Sequence, residues 1–291
     1  MKIKNKFILG TAQFSDNYGL FGKRKLSNKC IMEILRQAKK KKIYHLDNST
    51  DYKGSQKKIK NFGEKKWKIT TKIKFTNKEF QRKTQSYLKT YILKKIILSK
   101  NKIGVKKFDT LLINNFEILS QNLKKNIYQV LKDLKKNKII NNFGFSIYNF
   151  KKLKKTVKDF CPDIIQCSYN IFDTRLYEKN LIKIIKRKKI KVHARSIFLQ
   201  GLLLCDYDTI PSKFSKWRNM FDRWEEWIKL NKVSKLEACI NFVINDRNID
   251  KIIIGVKDIK ELKDILKTRK NKKEYPSFFF KNDNLINPSK W

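Results

Sequence analysis

Short runs of β-branched and other apolar residues alternate with longer amphipathic stretches along almost the whole chain. In each longer stretch the apolar residues recur at the i, i+3, i+4 spacing of a helix that is buried on one face. This order is typical of repeated βα units, in which helices connect parallel strands. Across the 291 residues the alternation predicts eight strands and eight helices. That count is expected of an α/β fold of the (β/α)8 TIM-barrel class, built as one domain.

The predicted elements follow the chain from end to end. The strands are predicted at Phe7–Thr11, Ile43–Asp47, Lys68–Ile73, Thr110–Ile113, Ile140–Ser146, Ile164–Cys167, Lys191–Ser196 and Ile252–Gly255. The helices are predicted around Cys30–Lys41, Ser55–Asn61, Glu79–Ser99, Ser120–Lys136, Phe150–Phe160, Tyr177–Lys188, Lys235–Asn245 and Ile259–Lys267.

One aromatic segment, Cys205–Asn231, interrupts this alternation. Phe221, Trp224 and Trp227 recur at i, i+3, i+6, which predicts an amphipathic helix packed on the barrel. A lid over a pocket is the alternative. We therefore expect one domain over residues 1–291 with an extra helical segment at about 205–231.

The chain is strongly basic, with 70 Lys and Arg against 26 Asp and Glu and a formal net charge of +44. Such a charge raises the question of a nucleic-acid partner. The lysines are spread along the whole chain, however, with no basic domain or tail, and lysine greatly outnumbers arginine. This distribution favours a general compositional bias, and we do not expect nucleic acid as the partner.

Cysteine and histidine usage constrains the compartment and the metal chemistry. The five cysteines are an odd number without a CxxC pair, and there are two histidines. We therefore expect reduced thiols in the cytoplasm, and neither a structural zinc nor a histidine-rich metal site. His45 and His193 are expected to be hydrogen-bonded core residues. No apolar run approaches the roughly 18 residues of a membrane span, so we expect a soluble protein.

Polar residues stand where the predicted strands end, although no GxGxxG or P-loop motif is present. In a TIM barrel the carboxyl ends of the strands form the functional face. Unpaired polar groups buried there would each cost roughly 1–3 kcal/mol, so a polar, ligand-binding mouth is indicated. The residues at these ends are Thr11, Asp47, Lys72, Asn114, Ser146, Gln166, Arg195, Ser196 and Gly255.

Several blocks around these positions resemble the aldo/keto reductases. The blocks are Leu9-Gly-Thr-Ala-Gln-Phe14, Leu46-Asp47 with Tyr52, Ile69-Thr-Thr-Lys72, Asp109-Thr-Leu-Leu-Ile-Asn-Asn115, Gly144-Phe-Ser146, Ile165-Gln-Cys-Ser-Tyr-Asn170, Arg195-Ser-Ile-Phe-Leu-Gln-Gly201 and Ile252-Ile-Ile-Gly-Val256. They occur in the family's order and span essentially the whole chain. Within the family, the sequence resembles the bacterial branch found among cell-surface sugar and sialic-acid biosynthesis genes.

The resemblance implies a TIM barrel that transfers hydride from a nicotinamide cofactor to a carbonyl group. Of the family's catalytic tetrad of Asp, Tyr, Lys and His, three members match Asp47, Tyr52 and Lys72. Tyr52 would protonate the product oxygen, Lys72 would favour the phenolate, and Asp47 would hold Lys72. Asn114 replaces the histidine; its amide can donate a hydrogen bond to the carbonyl oxygen but cannot relay a proton.

The resemblance also implies a set of cofactor-binding positions. Ser146 and Gln166 match ligands of the nicotinamide carboxamide, with Asn170 as a support, and Arg195 matches the position that packs on the ring. The full expected set is Gly10, Thr11, Ser146, Gln166, Asn170, Arg195, Ser196, Gly255 and Lys257. A 2′-phosphate would be repelled by Glu261 and attracted by Lys257 and Lys260, so NADP(H) is expected in preference to NAD(H).

Three function hypotheses remain open from the sequence. The first is an NADP(H)-dependent oxidoreductase acting on an aldehyde, ketone or keto-sugar as its small-molecule partner. The second is a catalytically impaired homologue that binds a nicotinamide nucleotide or a sugar, because Asn114 breaks the family pattern. The third is a polyanion-binding protein. The segments 16–25 and 205–231 are expected to shape the substrate pocket.

Overall fold

A closed barrel of eight parallel strands, numbered in chain order, forms the centre of the protein in a computed structural model. The structure describes residues 3–15, 25–62, 67–271, 273–278 and 282–291. Each strand pairs with its sequence neighbours, and the first pairs with the last. The strands are β1 (Phe7–Gly10), β2 (His45–Asp47), β3 (Lys68–Lys74), β4 (Phe108–Asn114), β5 (Ile140–Ile147), β6 (Ile164–Ser168), β7 (Lys191–Arg195) and β8 (Lys251–Gly255). The predicted (β/α)8 TIM barrel is confirmed.

The helices surround this barrel. They are α1 (Asn28–Lys40), α2 (Ser55–Phe62), α3 (Asn77–Phe80), α4 (Gln85–Ile103), α5 (Gln121–Lys136), α6 (Phe150–Asp159), α7 (Leu181–Arg187), α8 (Arg218–Asn231), α9 (Lys235–Asn245), α10 (Ile259–Lys267) and α11 (Asp283–Ile286). α5 is representative of their packing: it buries Leu123, Ile127, Val130, Leu131 and Leu134. The i, i+3, i+4 spacing of these residues places them on one face, which covers the barrel.

Two predicted helices differ from the observed ones. The helix predicted at Glu79–Ser99 is divided into α3 and α4, because Thr84 starts a new helix by accepting a hydrogen bond from the Tyr87 N–H through its side chain. The helix predicted at Tyr177–Lys188 begins only at Leu181. Lys179 and Asn180 before it adopt positive φ angles of 49° and 59°, which are incompatible with a continuous right-handed helix.

Close strand contact explains one glycine in the barrel wall. A Cβ atom on Gly144 of β5 would lie 2.2 Å from the Ile164 carbonyl oxygen of β6. Glycine therefore permits the two strands to approach where Ser146 and Gln166, further along, come into register.

Both histidines lie on strands of the barrel wall, His45 on β2 and His193 on β7. His45 shares a 2.8 Å hydrogen bond with the Thr70 hydroxyl, as predicted for a core histidine. The Nδ1 atom of His193 is buried and has no hydrogen-bond partner in the described part of the chain. Burial lowers the pKa of His45 to about 4 and that of His193 to about 3.

The aromatic segment 205–231 ends in α8, which packs on the barrel. Trp224 is buried against Phe172 and Phe278, and its indole N–H donates to the Leu203 carbonyl oxygen at 3.3 Å. The earlier part of the segment borders the main cavity through Cys205, Asp206 and Thr209.

Within the described residues, no helix is both long and apolar enough to span a bilayer.

Candidate active site

Asp47 and Lys72 form a buried ion pair at the carboxyl ends of β2 and β3. The Lys72 ammonium also donates to the Asn48 carbonyl oxygen at 3.3 Å. Neither side chain is more than 6% exposed, so the pair is shielded from water and fixed in place. The ammonium lies 5.5 Å from the centroid of the Tyr52 ring, which follows β2 on the next turn. The structure thus brings Asp47, Tyr52 and Lys72 together.

The Tyr52 phenol is held in its protonated form. Burial raises the pKa of Tyr52 well above its usual value, and the negative charge of Asp47 raises it further, whereas the positive charge of Arg195 lowers it. The sequence had suggested that Lys72 would favour the phenolate. In the structure burial is the largest effect on Tyr52, so the phenol keeps its proton at neutral pH.

Gln166 of β6 is tied to the same carboxylate. Its Nε2 donates to Asp47 Oδ1 at 2.8 Å, whereas its Oε1 is buried and has no hydrogen-bond partner among the described residues. Gln166 is in register with Ser146, which is in register with Asn114. Ser146 Oγ and Asn114 Oδ1 are also buried and unpaired within the described residues. The ends of three adjacent strands therefore carry buried polar side-chain atoms that have no partner among the described residues.

Arg195, at the end of β7, stacks on Tyr148. Its guanidinium carbon lies 4.0 Å from the Tyr148 ring centroid, and its Nη2 donates to the Ile147 carbonyl oxygen at 2.8 Å. Its Nη1 donates to the Ser196 hydroxyl at 3.3 Å. Arg195 therefore joins the ends of β5 and β7 across the mouth of the barrel.

A cavity of about 900 Å³ opens at this end of the barrel, at the upper end of the 300–1,000 Å³ range of ligand sites. The predicted site residues on its wall are Gly10, Asp47, Tyr52, Lys72, Gln166, Arg195, Ser196, Gly255 and Lys257. Thr11, Asn114, Ser146 and Asn170 do not line it. The predicted pocket loop 16–25 lies, apart from Lys25, outside the described residues.

Thr11 and Asn170 are occupied by structural hydrogen bonds. The Thr11 hydroxyl donates to the Asp47 carbonyl oxygen at 2.9 Å and accepts from the Asn48 amide at 2.7 Å. The Asn170 amide donates to the Ser196 carbonyl oxygen at 2.9 Å, and its oxygen accepts backbone N–H bonds from Phe172 and Asp173. Both residues are fully buried, so they support the mouth of the barrel from behind the cavity wall.

The far end of the cavity lies between β8 and the start of α10. Gly255 leaves room for Gln13, whose side-chain oxygen would lie 2.4 Å from a Cβ atom at position 255. The Asp258 side chain accepts from the Glu261 N–H, and the Glu261 carboxylate accepts from the Lys257 N–H at 2.7 Å. These bonds cap the helix start. Glu261 and Asp264 line the cavity beside Lys257, whereas Lys260 does not.

Sequence reasoning missed Tyr148, Glu117 and Gln13. Tyr148 and Gln13 line the cavity. The Glu117 carboxylate is buried and accepts from the Tyr148 and Asn149 N–H groups at 2.9 and 2.8 Å. Tyr148 stands two residues after Ser146, so the period of a strand could have marked it as the next residue on the same face. No pattern in the sequence marks the Glu117 contact.

Comparison with solved structures shows the same fold. A protein from Pseudomonas aeruginosa described as an aldo-keto reductase has a TM-score of 0.62 and 14% identity, covering 90% of this chain and 88% of its own. The holo form of an aldo-keto reductase from Bacillus halodurans has a TM-score of 0.67 and 15% identity, covering 90% of this chain and 86% of its own. No curated protein matches the sequence.

The sequence matches the model of the aldo/keto reductase family over residues 6–277. The match spans the barrel from the residue before β1 to beyond α10, and includes every strand end described above. The chain therefore belongs to the aldo/keto reductase family.

Proposed function

We propose that the protein is an oxidoreductase that reduces an aldehyde, ketone or keto-sugar, using NADP(H) in preference to NAD(H). Family membership supports carbonyl oxidoreduction with a nicotinamide cofactor. The observation that carries the proposal is the buried Asp47–Lys72 pair beside the protonated Tyr52 in a cavity of ligand size. This is an arrangement suited to delivering a proton to an oxygen that becomes negative.

Tyr52 is the proton donor in this proposal. Its raised pKa keeps the phenol protonated in the resting protein, so the proton is available when a carbonyl oxygen accumulates charge. Lys72 stabilises the phenolate that remains, because its ammonium lies beside the ring. Asp47 holds the ammonium in that position, and Gln166 holds Asp47 in turn.

The residues at the mouth fit a nicotinamide cofactor, which when bound would supply the hydride. Gln166 lines the cavity, and its Oε1 is a buried acceptor without a described partner, so it can accept from a carboxamide N–H. Ser146 Oγ is a buried hydroxyl in the same condition on the adjacent strand, but Ser146 does not line the cavity. Arg195 lines the cavity, and a guanidinium group can stack on an aromatic ring or pair with phosphate.

The preference for a 2′-phosphate rests on charge. Lys257 lines the far end of the cavity, and the chain as a whole carries +44, which favours an anionic ligand. Glu261 and Asp264 oppose it, although the Glu261 carboxylate is engaged with a backbone N–H. We therefore propose a modest preference for NADPH.

The test is to titrate the protein with NADPH and NADH, following tryptophan fluorescence, and then to assay reduction of a generic aldehyde. Tighter binding of NADPH together with aldehyde-dependent oxidation of NADPH is the expected result. Binding without turnover would favour the catalytically impaired homologue. Absence of binding by either nucleotide would overturn the oxidoreductase proposal.

A further inference from the structure

Tyr148 is a residue of the cavity wall with a phenol hydroxyl that the rest of the described protein does not bind. The residue lines the cavity with Tyr52 and Lys72. Its hydroxyl has no hydrogen-bond partner in the part of the chain that the structure describes. A phenol that borders a polar cavity in this condition is available to donate a hydrogen bond to a ligand.

Two contacts fix Tyr148 in place. Glu117 accepts the Tyr148 N–H at 2.9 Å and so holds the backbone immediately after β5. On the other side the Arg195 guanidinium stacks 4.0 Å from the ring centroid, and Arg195 is itself bonded to the Ile147 carbonyl oxygen at 2.8 Å. The phenol is therefore preorganised, which is the condition under which a donor stabilises developing charge most effectively.

Asn114 lies behind this residue. Asn114 is in register with Ser146, and neither lines the cavity. Tyr148 stands two residues after Ser146, one step further toward the carboxyl ends of the strands, where ligands enter. A carbonyl compound that approaches Tyr52 from the cavity therefore meets Tyr148 before it meets Asn114.

We propose that Tyr148, and not Asn114, is the second catalytic hydrogen-bond donor to the substrate carbonyl oxygen. This assignment rests on the proposed function. Both phenols belong to the wall of the same cavity, which supports the assignment.

The roles of the two tyrosines differ in the reaction. A bound reduced nicotinamide would supply the hydride to the carbonyl carbon and become the oxidised nucleotide, and the C=O π pair would move onto oxygen. That oxygen takes the Tyr52 proton to become the alcohol, while the phenolate that remains is stabilised by Lys72 and is reprotonated from water. Tyr148 keeps its proton throughout, and the adjacent Arg195 cation polarises its O–H toward the oxyanion.

The experiment compares the native protein with Tyr148→Phe, Asn114→Ala and the remote control Tyr128→Phe. Tyr128 is a suitable control because its hydroxyl contacts Cys161 outside the barrel and its ring also faces a cation, Lys132. Single-turnover oxidation of NADPH by 4-nitrobenzaldehyde gives the rate of hydride transfer. Fluorescence titration gives NADPH affinity, and equilibrium binding of benzoate to the NADP⁺-loaded protein gives a readout that needs no turnover.

Phenylalanine keeps the stack with Arg195, so we expect NADPH affinity of Tyr148→Phe to be native-like. Hydride transfer should slow by roughly 10²- to 10³-fold, as for loss of one oxyanion donor, and benzoate should bind more weakly. Asn114→Ala and Tyr128→Phe should leave both readouts near native. The assignment to Tyr148 would be overturned if Tyr148→Phe kept the native rate of hydride transfer and the native benzoate affinity. It would also be overturned if Asn114→Ala lost as much of both as Tyr148→Phe. A native protein that fails to bind NADPH would overturn the proposed function and this assignment with it.

Discussion

The side chains of Asp47 and Gln166 meet at the mouth of the barrel, although 119 positions separate them in the sequence. Gln166 Nε2 donates to Asp47 Oδ1 at 2.8 Å, so the amide group can adopt one orientation only. Its oxygen is thereby left as a buried acceptor beside Ser146. The bond links the ion pair that supports Tyr52 to the residues that fit a carboxamide.

Gln166→Ala should weaken both stability and cofactor binding. It leaves Asp47 Oδ1 without its donor, and we expect the free energy of unfolding in urea to fall by roughly 1–3 kcal/mol. NADPH affinity measured by fluorescence should fall as well, because the carboxamide loses its acceptor. The control is Gln129→Ala on α5, which removes a similar amide that donates to Asp133 outside the barrel. It should change neither the free energy of unfolding nor the NADPH affinity. Native NADPH affinity in Gln166→Ala would refute the carboxamide role.

Tyr52→Phe should abolish most of the turnover and leave cofactor affinity intact. Loss of a positioned proton donor costs roughly 10²- to 10⁴-fold, and the ring itself is retained. Steady-state rates and NADPH titration of the same preparation measure the two effects. Turnover equal to that of the native protein would mean that Tyr52 is a packing residue.

Lys72→Met should destabilise the barrel as well as inactivate it. Removing one member of a buried ion pair leaves the other charge unpaired, at a typical cost of about 3–5 kcal/mol. The double variant Asp47→Asn with Lys72→Met removes both charges and should regain part of that free energy of unfolding, without regaining activity. A double variant less stable than Lys72→Met alone would contradict this account of the pair.

Glu261→Gln should increase the preference for NADPH over NADH. The substitution removes a negative charge from the cavity wall, while the amide oxygen can still accept the Lys257 N–H. Glu237→Gln is the matched control: Glu237 also stands in the first turn of a helix, α9, but does not line the cavity. Titration of each variant with both nucleotides gives the ratio of the NADPH and NADH dissociation constants. An unchanged ratio in Glu261→Gln would show that this carboxylate does not affect the choice between the two nucleotides.

Acid should destabilise the protein through His193. Burial lowers its pKa to about 3, so the unfolded chain, with a histidine pKa of about 6.5, takes up a proton before the folded protein does. Stability attributable to this residue is therefore present above pH 6.5 and falls as the pH drops from there toward 3. The free energy of unfolding, measured in urea at several pH values, should fall less steeply with decreasing pH in His193→Gln than in the native protein. The difference in slope should correspond to the uptake of about one proton on unfolding. Equal slopes would show that His193 does not drive the decline.

The alternation of apolar runs and amphipathic stretches was sufficient to predict the barrel, because strand and helix periods are local properties of the chain. The same local reading found Asp47, Lys72 and Gln166, since polar residues at the ends of apolar strands are conspicuous. It failed at α3 and α4, where the helical spacing continues past a break that a single Thr84 cap introduces.

Only the tertiary structure decided which polar residues face the cavity. Thr11 and Asn170 stand at strand ends like their neighbours, but hydrogen bonds to Asp47 and Ser196 commit them to the protein. Tyr148 acquires its place from Arg195 on β7 and from Glu117 after β4. These partners are distant in sequence and meet because parallel strands of the barrel end at the same mouth. Sequence periodicity fixes the face of a strand on which a residue lies, whereas the order of the strands around the barrel determines what that residue contacts.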